Sequence, residues 1–280
     1  MRRCRPWLGT YVEIECDELT AVEAAFAVIA QVHQLMSAHD PDSELSRINC
    51  RGHRQAIAIS EPTTEVLRRA LRWAELSSGA FDVVRAGRES LARGALPRHP
   101  GQPTPDSRAD WSAIKLAVNA VSLDRPACLD LGGIAKGYAV DLAIAAMREA
   151  GALRGSINAG GDLRVFGDQS LSISIPDPQS RQPLVTTSLE NAALATSAGL
   201  PDTVDRLDFS HLPHSALDWV SVTVRAQNAC DADALTKIVW ALGHSADELL
   251  RDHQAEAFVI DSARQIQRVG TVAGATRVIA

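Results

Sequence analysis

Two glycines between an apolar run and a helical pattern constrain this chain more than any other feature. In residues 129–141, Gly132 and Gly133 follow an apolar run typical of a strand, and helical spacing begins near Ile134. Glycine lets the backbone approach a ligand closely, and the first N–H groups of a helix point toward an anion. Lys136 adds a positive charge at the same place. The segment therefore predicts a site for a phosphate-bearing ligand, unless it is only a tight connection between strand and helix.

A second glycine turn follows at residues 158–162, between the strand-like runs 155–158 and 163–166. Two such turns close together in the sequence suggest one shared site. The turn ends in Asp162, and carboxylates commonly accept hydrogen bonds from nearby backbone N–H groups in turns. We therefore expect Asp162 to order its own turn, with contact to a ligand as the alternative.

The composition favours a folded protein and argues against nucleic-acid binding. The chain has 280 residues, of which 46% are apolar, and this is enough for a sizeable core. The formal net charge is −6, the sequence pI is about 5.8, and aromatic residues make up 4%. Basic patches and stacking platforms for nucleic acid are therefore scarce. We expect local groups, rather than a basic surface, to hold an anionic ligand.

The cysteines and the N-terminus predict a cytoplasmic protein. The five cysteines are scattered, without a C-x-x-C pair, and their odd number indicates thiols in a reducing compartment. They are Cys4, Cys16, Cys50, Cys128 and Cys230. Residues 1–7 are basic but are not followed by the apolar run of a secretory signal. No run of roughly 18 apolar residues suggests a membrane span.

Hydrophobic periodicity predicts a mixed α/β (α+β) fold. Period-two alternation and short apolar runs predict strands at residues 7–16, 154–158, 162–167, 170–175, 219–226 and 257–261. Helical spacing predicts helices at residues 20–36, 63–77, 134–150 and 231–242. Residues 93–106 carry four prolines and predict a surface loop rather than a domain boundary. We expect one large domain over residues 1–280, with mixed sheets and flanking helices.

Several short segments, taken in order, give the chain its resemblance to a known family. They are residues 8–10 (LGT), 36–49 (MSAHDPDSELSRIN), 79–82 (GAFD), the two glycine segments, 193–197 (ALATS) and 232–236 (ADALT). In this order they resemble the FAD:protein FMN transferases, the ApbE family. Each segment alone is weak, but the shared order makes the resemblance specific, and it extends over nearly the whole chain. It implies a single ApbE-like domain.

The resemblance also implies an activity. Members of the family take FAD and a divalent cation, usually magnesium, and transfer FMN to a threonine or serine hydroxyl of a target protein. AMP is released, and the flavin is left on the target through a phosphoester bond. Such a reaction must neutralise a diphosphate and stabilise a leaving phosphate. The implied partners are therefore FAD and a target flavoprotein that bears the acceptor hydroxyl.

Three residues match or adjoin the metal positions of the family. The resemblance implies that Asp233 and the backbone carbonyl of Gly133 bind the metal, and Thr236 could add a hydroxyl from the same helix face as Asp233. The helix predicted at 231–242 places Asp233 in its first turn, where the helix dipole also favours a carboxylate. Lys237 stands where the family has threonine or serine, and an ammonium has no lone pair for a metal. The metal could have fewer protein ligands, or Lys237 could contact phosphate or point to solvent.

The resemblance also marks positions that contact FAD. They are Leu8, His39, Ala80, Phe81, Asp82, Asp130 and Lys136. Two of them depart from the family pattern. Leu8 replaces the usual methionine and keeps an apolar contact, whereas His39 replaces an aromatic residue, usually tyrosine, and keeps a smaller stacking face.

The largest departure from the family lies between residues 196 and 221. The family carries a His-x-x-Asp-Pro segment there, and this chain has a shortened segment at 209–218 instead. His211 is the best candidate for the catalytic histidine, with Asp233 as the other predicted catalytic residue. Because the rest of the family segment is absent, two alternatives to a transferase stay open. One is an FAD-binding module without transfer activity, and the other is a metal-dependent FAD pyrophosphatase that forms FMN and AMP.

Overall fold

The structure is a computed structural model that describes residues 1–203, 206–208 and 217–270, with the backbone alone at 200–203 and 206–208. Contacts divide the chain into two compact units. Unit 1 is formed by residues 1–29 together with the chain from residue 136 onward, and unit 2 by residues 30–135. The prediction of one domain over residues 1–280 stays a prediction.

The described residues form strands and helices in a mixed order. The strands are β1 (Arg2–Trp7), β2 (Thr10–Glu15), β3 (Ile57–Ala58), β4 (Ile114–Ala117), β5 (Ala120–Leu123), β6 (Gly155–Ala159), β7 (Asp162–Phe166), β8 (Ser170–Pro176), β9 (Pro183–Glu190), β10 (Ala193–Ala198), β11 (Leu200–Thr203), β12 (Arg206–Asp208), β13 (Trp219–Ala226), β14 (Glu256–Asp261) and β15 (Ile266–Val269). The helices are α1 (Leu19–Met36), α2 (Glu44–Arg51), α3 (Glu61–Leu76), α4 (Val83–Ala92), α5 (Ala135–Glu149), α6 (Ala229–Leu242) and α7 (Asp247–Asp252). The predicted mixed α+β class is confirmed.

Unit 1 is built on an eight-stranded sheet in the order β1-β2-β6-β7-β10-β13-β14-β15. Every strand pair among the described residues is antiparallel. The described sheets are therefore antiparallel rather than mixed in strand direction. Three neighbouring pairs of the large sheet, β1–β2, β6–β7 and β14–β15, are hairpins, which join antiparallel strands. Two further hairpins, β8–β9 and β11–β12, complete the described strands of this unit.

Unit 2 has a small sheet, β3-β5-β4, together with helices α2, α3 and α4. Residues 93–106 contain no helix or strand. His99 holds this segment within the unit, since its Nε2 lies 2.8 Å from the carbonyl oxygen of Ala38 and 3.2 Å from Ser46 Oγ. The proline-rich segment is thus tied to the helix and loop of residues 36–49.

Helix α1 is long and apolar enough, by length and composition alone, to be a candidate membrane span, and it is the one such helix among the described residues. Its fully buried side chains recur at helical spacing. They are Ala21, Val22, Ala25, Phe26, Ile29 and Val32. A stripe of this kind is typical of a helix packed on a protein core.

Candidate functional site

Four charged side chains of unit 1 form a compact cluster. Lys136 Nζ lies 2.7 Å from Asp162 Oδ2 and 3.5 Å from Asp233 Oδ2, and Lys237 Nζ lies 3.1 Å from Asp233 Oδ1. The carboxylate side chains are almost completely buried, with exposed fractions of 3% for Asp162 and 1% for Asp233. Two ammonium groups therefore balance two buried carboxylates, which is the condition under which buried charge is tolerated.

Lys136 lies in the first turn of α5, Asp162 begins β7, and Asp233 and Lys237 lie on α6. The close approach of α5 and α6 brings these side chains together. A Cβ on Gly137 would lie 2.1 Å from the carbonyl oxygen of Ala229, so the two helices can approach this closely only with glycine at this position. One turn further along α5, the Asp141 carboxylate accepts the backbone N–H groups of Ala229 and Cys230, each at 2.9 Å. Arg164 Nη1 pairs with the same carboxylate at 2.5 Å. Asp141 thus links α5, α6 and β7.

A second layer of the cluster consists of two hydroxyls. Lys237 Nζ donates to Ser197 Oγ at 2.7 Å and to Thr236 Oγ1 at 3.0 Å, and the two hydroxyl oxygens are 2.7 Å apart. Thr236 Oγ1 donates to the backbone carbonyl of Asp233 at 2.7 Å, so the hydroxyl of Ser197 donates to Thr236. Sequence reasoning missed Ser197 as a site residue, although the segment 193–197 that contains it was part of the family pattern.

The pKa values of the two buried carboxylates are shifted in opposite directions. Burial and the charge of Asp233 raise the pKa of Asp162 to about 6, against the opposing effect of Lys136. Burial also acts to raise the pKa of Asp233, but the ammonium groups of Lys136 and Lys237 outweigh it and lower that pKa. Burial acts to lower the pKa of Lys136, and the charges of Asp162 and Asp233 reverse this and raise it. Lys136 therefore stays a cation at neutral pH.

The structure corrects the predicted position of Asp233 in its helix. Helix α6 begins at Ala229, two residues earlier than the predicted 231–242, because Asn228 is the N-cap and its side chain accepts the N–H of Asp231 at 2.9 Å. Asp233 lies in the second turn, so a first-turn dipole does not account for it. The backbone N–H of Gly137, in the first turn of α5, donates to the Asp233 carboxylate instead.

The second glycine turn also differs from the prediction. Asn158 orders it, because its Oδ1 accepts the N–H of Gly161 at 2.9 Å. Asp162, expected to order its own turn, uses its carboxylate for the ion pair with Lys136. The prediction missed this because the partner lies 26 residues earlier in the chain.

In unit 2, two of the segments that gave the family resemblance meet, residues 36–49 and the first glycine segment. The Asn49 side chain donates to the carbonyl of Leu129 at 3.0 Å and accepts its N–H at 2.7 Å. The N–H of Asp130 donates to the carbonyl of Val83 at 2.9 Å. The Asp130 carboxylate accepts the hydroxyl of Ser90 at 2.8 Å and, at the same distance, the N–H of Gly132. Asn49 and Ser90 were not predicted, although Asn49 ends the segment 36–49.

The segment predicted to contact FAD at residues 80–82 has a clear local role. Asp82 is the N-cap of α4, and its Oδ1 accepts the N–H groups of Val84 and Arg85 at 2.8 and 3.0 Å. Phe81 is buried, and Arg85 Nη2 donates to the carbonyl of Ala80 at 2.9 Å. These bonds fix the backbone of the segment, and its contact with FAD stays a prediction.

The other predicted site residues belong to different units or lie outside the described residues. Leu8 lies in the two-residue turn between β1 and β2 in unit 1, with φ of 57°. His39 is exposed in unit 2, where its N–H donates to Ser37 Oγ at 3.3 Å, and Gly133 is half-buried in the same unit. His211, the predicted catalytic histidine, lies outside the described residues.

The oxygen atoms predicted to bind magnesium from α6 are already hydrogen-bonded to ammonium and hydroxyl groups. Thr236 has two acceptor lone pairs, and Ser197 and Lys237 occupy both. Each carboxylate oxygen of Asp233 faces an ammonium group. Within the described ranges, which omit 204–205, 209–216 and 271–280, no three His, Cys, Asp or Glu side chains are grouped to hold a metal ion. The side chains of Asp233 and Thr236 are therefore engaged with ammonium and hydroxyl groups, and the metal role of Asp233, Thr236 and the carbonyl of Gly133 stays a prediction.

Comparison with known proteins gives a consistent result. Residues 8–259 match the model of the ApbE family. The chain is 26% identical over 270 residues to the FAD:protein FMN transferase of Treponema pallidum (strain Nichols), covering 83% of this chain and 74% of that protein. It is 28% identical over 267 residues to the FAD:protein FMN transferase of Vibrio cholerae, covering 85% and 80%.

Solved structures show the same fold. The ApbE protein from Thermotoga maritima matches with a TM-score of 0.83 at 23% identity over 96% of both chains. The flavin transferase ApbE from Vibrio cholerae matches with a TM-score of 0.76 at 22% identity, again over 96% of both chains. The match to the family model, over residues 8–259, includes every segment on which the resemblance rests, in both units.

Proposed function

Since the chain belongs to the ApbE family, we propose that it is an FAD:protein FMN transferase that attaches FMN to a threonine or serine hydroxyl of a target flavoprotein. The observation that carries the proposal is the cluster of Lys136 and Lys237 with two buried carboxylates in unit 1. The side chains of this cluster come from three of the segments on which the resemblance rests and from the residue that follows the last of them. Ammonium groups held in fixed positions can stabilise the charge of a diphosphate substrate, and the carboxylates of the cluster hold these ammonium groups in place.

In the proposed reaction, the acceptor hydroxyl oxygen attacks the phosphorus of the FMN half of FAD. The bond from that phosphorus to the bridging oxygen breaks, its electron pair leaves with AMP, and the hydroxyl proton passes to a base. Lys136 supplies positive charge to the diphosphate, and Asp162 and Asp233 hold its ammonium in place. His211 and Asp233 stay the predicted catalytic residues.

Magnesium was part of the prediction for this activity, and bound near a diphosphate it would neutralise charge on the phosphates. The side chains of Asp233 and Thr236 are already satisfied by ammonium and hydroxyl groups. We therefore assign no step of the proposed reaction to a metal.

The test is incubation of the purified protein with FAD and a peptide that carries the family's acceptor sequence, followed by mass spectrometry of the peptide. We expect a mass gain of one FMN and an equal amount of AMP. A Lys136→Ala variant should lower the rate strongly, whereas Lys115→Ala should not. Lys115 is the matched control because it is an exposed lysine of unit 2, paired with Asp124.

The alternatives predict different products. Free FMN and AMP with an unmodified peptide would identify an FAD pyrophosphatase. Intact FAD that stays bound to the protein would identify a binding module without transfer activity. Equal transfer rates for the wild type and Lys136→Ala would show that the cluster does not contribute to the reaction. The cytoplasmic location stays a prediction.

A further inference from the structure

Lys237 lies among three oxygen atoms from three residues. Its ammonium donates to Ser197 Oγ at 2.7 Å, to Thr236 Oγ1 at 3.0 Å and to Asp233 Oδ1 at 3.1 Å. One carboxylate and two hydroxyls are oxygen ligands of the kind that hard cations prefer. An ammonium has three donors and one positive charge, so all three donors of Lys237 are used by this set of oxygens.

The surroundings of Lys237 require a positive charge. Without it, the buried carboxylates of Asp162 and Asp233 would share the single ammonium of Lys136. An unbalanced buried carboxylate is strongly unfavourable. Lys237 follows Asp233 by four residues on α6, so the helix places both side chains on one face.

We infer that the ammonium of Lys237 takes the place of a divalent cation in this site, so that the protein binds a diphosphate without a bound metal. The inference rests on the proposed function for the identity of the diphosphate, and on the contacts of Lys237 for the replacement itself. A divalent ion at ligand distances of about 2.1 Å would have to displace the ammonium from all three oxygens.

Titration with Mn²⁺, followed by the electron paramagnetic resonance signal of the free ion, tests the replacement without FAD. Mn²⁺ shares with Mg²⁺ a preference for oxygen ligands. Lys237→Thr leaves two carboxylates and one ammonium, so the cluster acquires a net negative charge, whereas Lys237→Arg keeps the positive charge. We expect Lys237→Thr to bind Mn²⁺ at least about tenfold more tightly than the wild type, Lys237→Arg and the exposed control Lys115→Thr. Wild-type binding as tight as that of Lys237→Thr would overturn the inference.

FAD affinity, measured by flavin fluorescence in EDTA and in Mg²⁺, tests the consequence. The wild-type dissociation constant should agree within about twofold between the two conditions, whereas Lys237→Thr should bind about tenfold more weakly in EDTA and recover in Mg²⁺. FAD binding by the wild type only in Mg²⁺ would contradict the inference. If the wild type binds FAD neither in EDTA nor in Mg²⁺, the proposed function is wrong. The Mn²⁺ titration would still decide the role of Lys237, because it does not involve FAD. If circular dichroism shows that Lys237→Thr is unfolded, the two wild-type titrations decide alone.

Discussion

Each unit contains a glycine turn beside an aspartate, and the two turns hold their carboxylates by different means. In unit 2, Asp130 accepts hydrogen bonds from uncharged donors, the hydroxyl of Ser90 and the N–H of Gly132. In unit 1, Asp162 is paired with the ammonium of Lys136, and Asn158 orders the turn in its place. A glycine pair beside an aspartate thus gives a neutral hydrogen-bonded turn in one unit, where the aspartate precedes the glycines, and an ion cluster in the other, where it follows them.

The difference follows from burial. Asp162 and Asp233 are almost completely buried, and a buried carboxylate requires a charged partner, whereas the half-buried Asp130 is satisfied by dipoles. Charged partners also make a site sensitive to the loss of any one member. We therefore expect substitutions in the ion cluster to have larger effects than equivalent substitutions around Asp130.

The largest effect is expected for Asp233→Ala. This change leaves the two ammonium groups of Lys136 and Lys237 with one buried carboxylate, Asp162, in place of two, and removal of one partner from a buried charge cluster costs about 3–5 kcal/mol. Asp130→Ala should cost about 1–2 kcal/mol, because it removes hydrogen bonds to uncharged donors. Urea denaturation measures both values.

Asp168→Ala, at an exposed position of unit 1, serves as the control and should change the free energy of unfolding by less than about 0.5 kcal/mol. Equal costs for Asp233→Ala and Asp130→Ala would show that charge pairing does not distinguish the two turns.

A smaller effect, about 2–3 kcal/mol, is expected for Asn49→Ala in unit 2. The change leaves the buried N–H and C=O groups of Leu129 without the side chain that bonds both of them. Thermal or urea denaturation would measure the loss. Gln55→Ala, which removes an exposed amide side chain of the same unit, should be nearly neutral. If Asn49→Ala and Gln55→Ala lower the free energy of unfolding equally, the hydrogen bonds of Asn49 make no net contribution to stability.

How much of this could be predicted depends on the sequence separation of the partners. Local periodicity located α1, α3, α5, α6 and the strands β6, β7 and β13, because the pattern of buried residues lies within each element. It missed β1, whose residues RRCRPW are mostly exposed and do not alternate. Helices α2, α4 and α7 were also missed, since each has ten residues or fewer and contains too few turns for helical spacing to stand out.

The site was predicted only in part for the same reason. Lys136 and Asp233 were identified from short segments, yet they are 97 residues apart, and nothing local indicates that they are paired. Lys237 was recognised as a departure from the family, with three interpretations left open. Its contact with Ser197, 40 residues away, could be found only from the fold. Sequence patterns identify residue types, whereas the tertiary structure determines which charges balance.

The next prediction concerns pH and has an expected size of about 1–3 kcal/mol. Burial and the charge of Asp233 raise the pKa of Asp162 to about 6, from an ordinary value of 3.8. Between these two values the folded protein keeps a proton that the unfolded chain has lost. The contribution of Asp162 to stability therefore increases as the pH falls from about 6 to about 4, and is lost as the pH rises through the folded pKa.

Urea denaturation of the wild type and of Asp162→Asn across this pH range measures the effect as a difference in the free energy of unfolding. The wild type should gain stability relative to the variant as the pH falls. Below about pH 4, Asp233→Asn should give the opposite sign, because the pKa of Asp233 is lowered and its contribution is lost as the pH falls from the unfolded value of 3.8 through the folded value. A constant difference between the wild type and Asp162→Asn would contradict the raised pKa.

The smallest expected effect tests which residue orders the turn in unit 1. Asn158→Ala removes the hydrogen bond that the N–H of Gly161 donates to Asn158 Oδ1, at a cost of about 1 kcal/mol. Because Asp162 is held by Lys136 rather than by the turn, the variant should keep the pH dependence attributed to Asp162 while losing this small increment. A variant that lost both would show that the turn positions Asp162 for its ion pair. The hydrogen bond of Asn158 and the ion pair of Asp162 would then depend on each other within one turn. The contrast between a hydrogen-bonded turn in unit 2 and an ion pair in unit 1 would no longer hold.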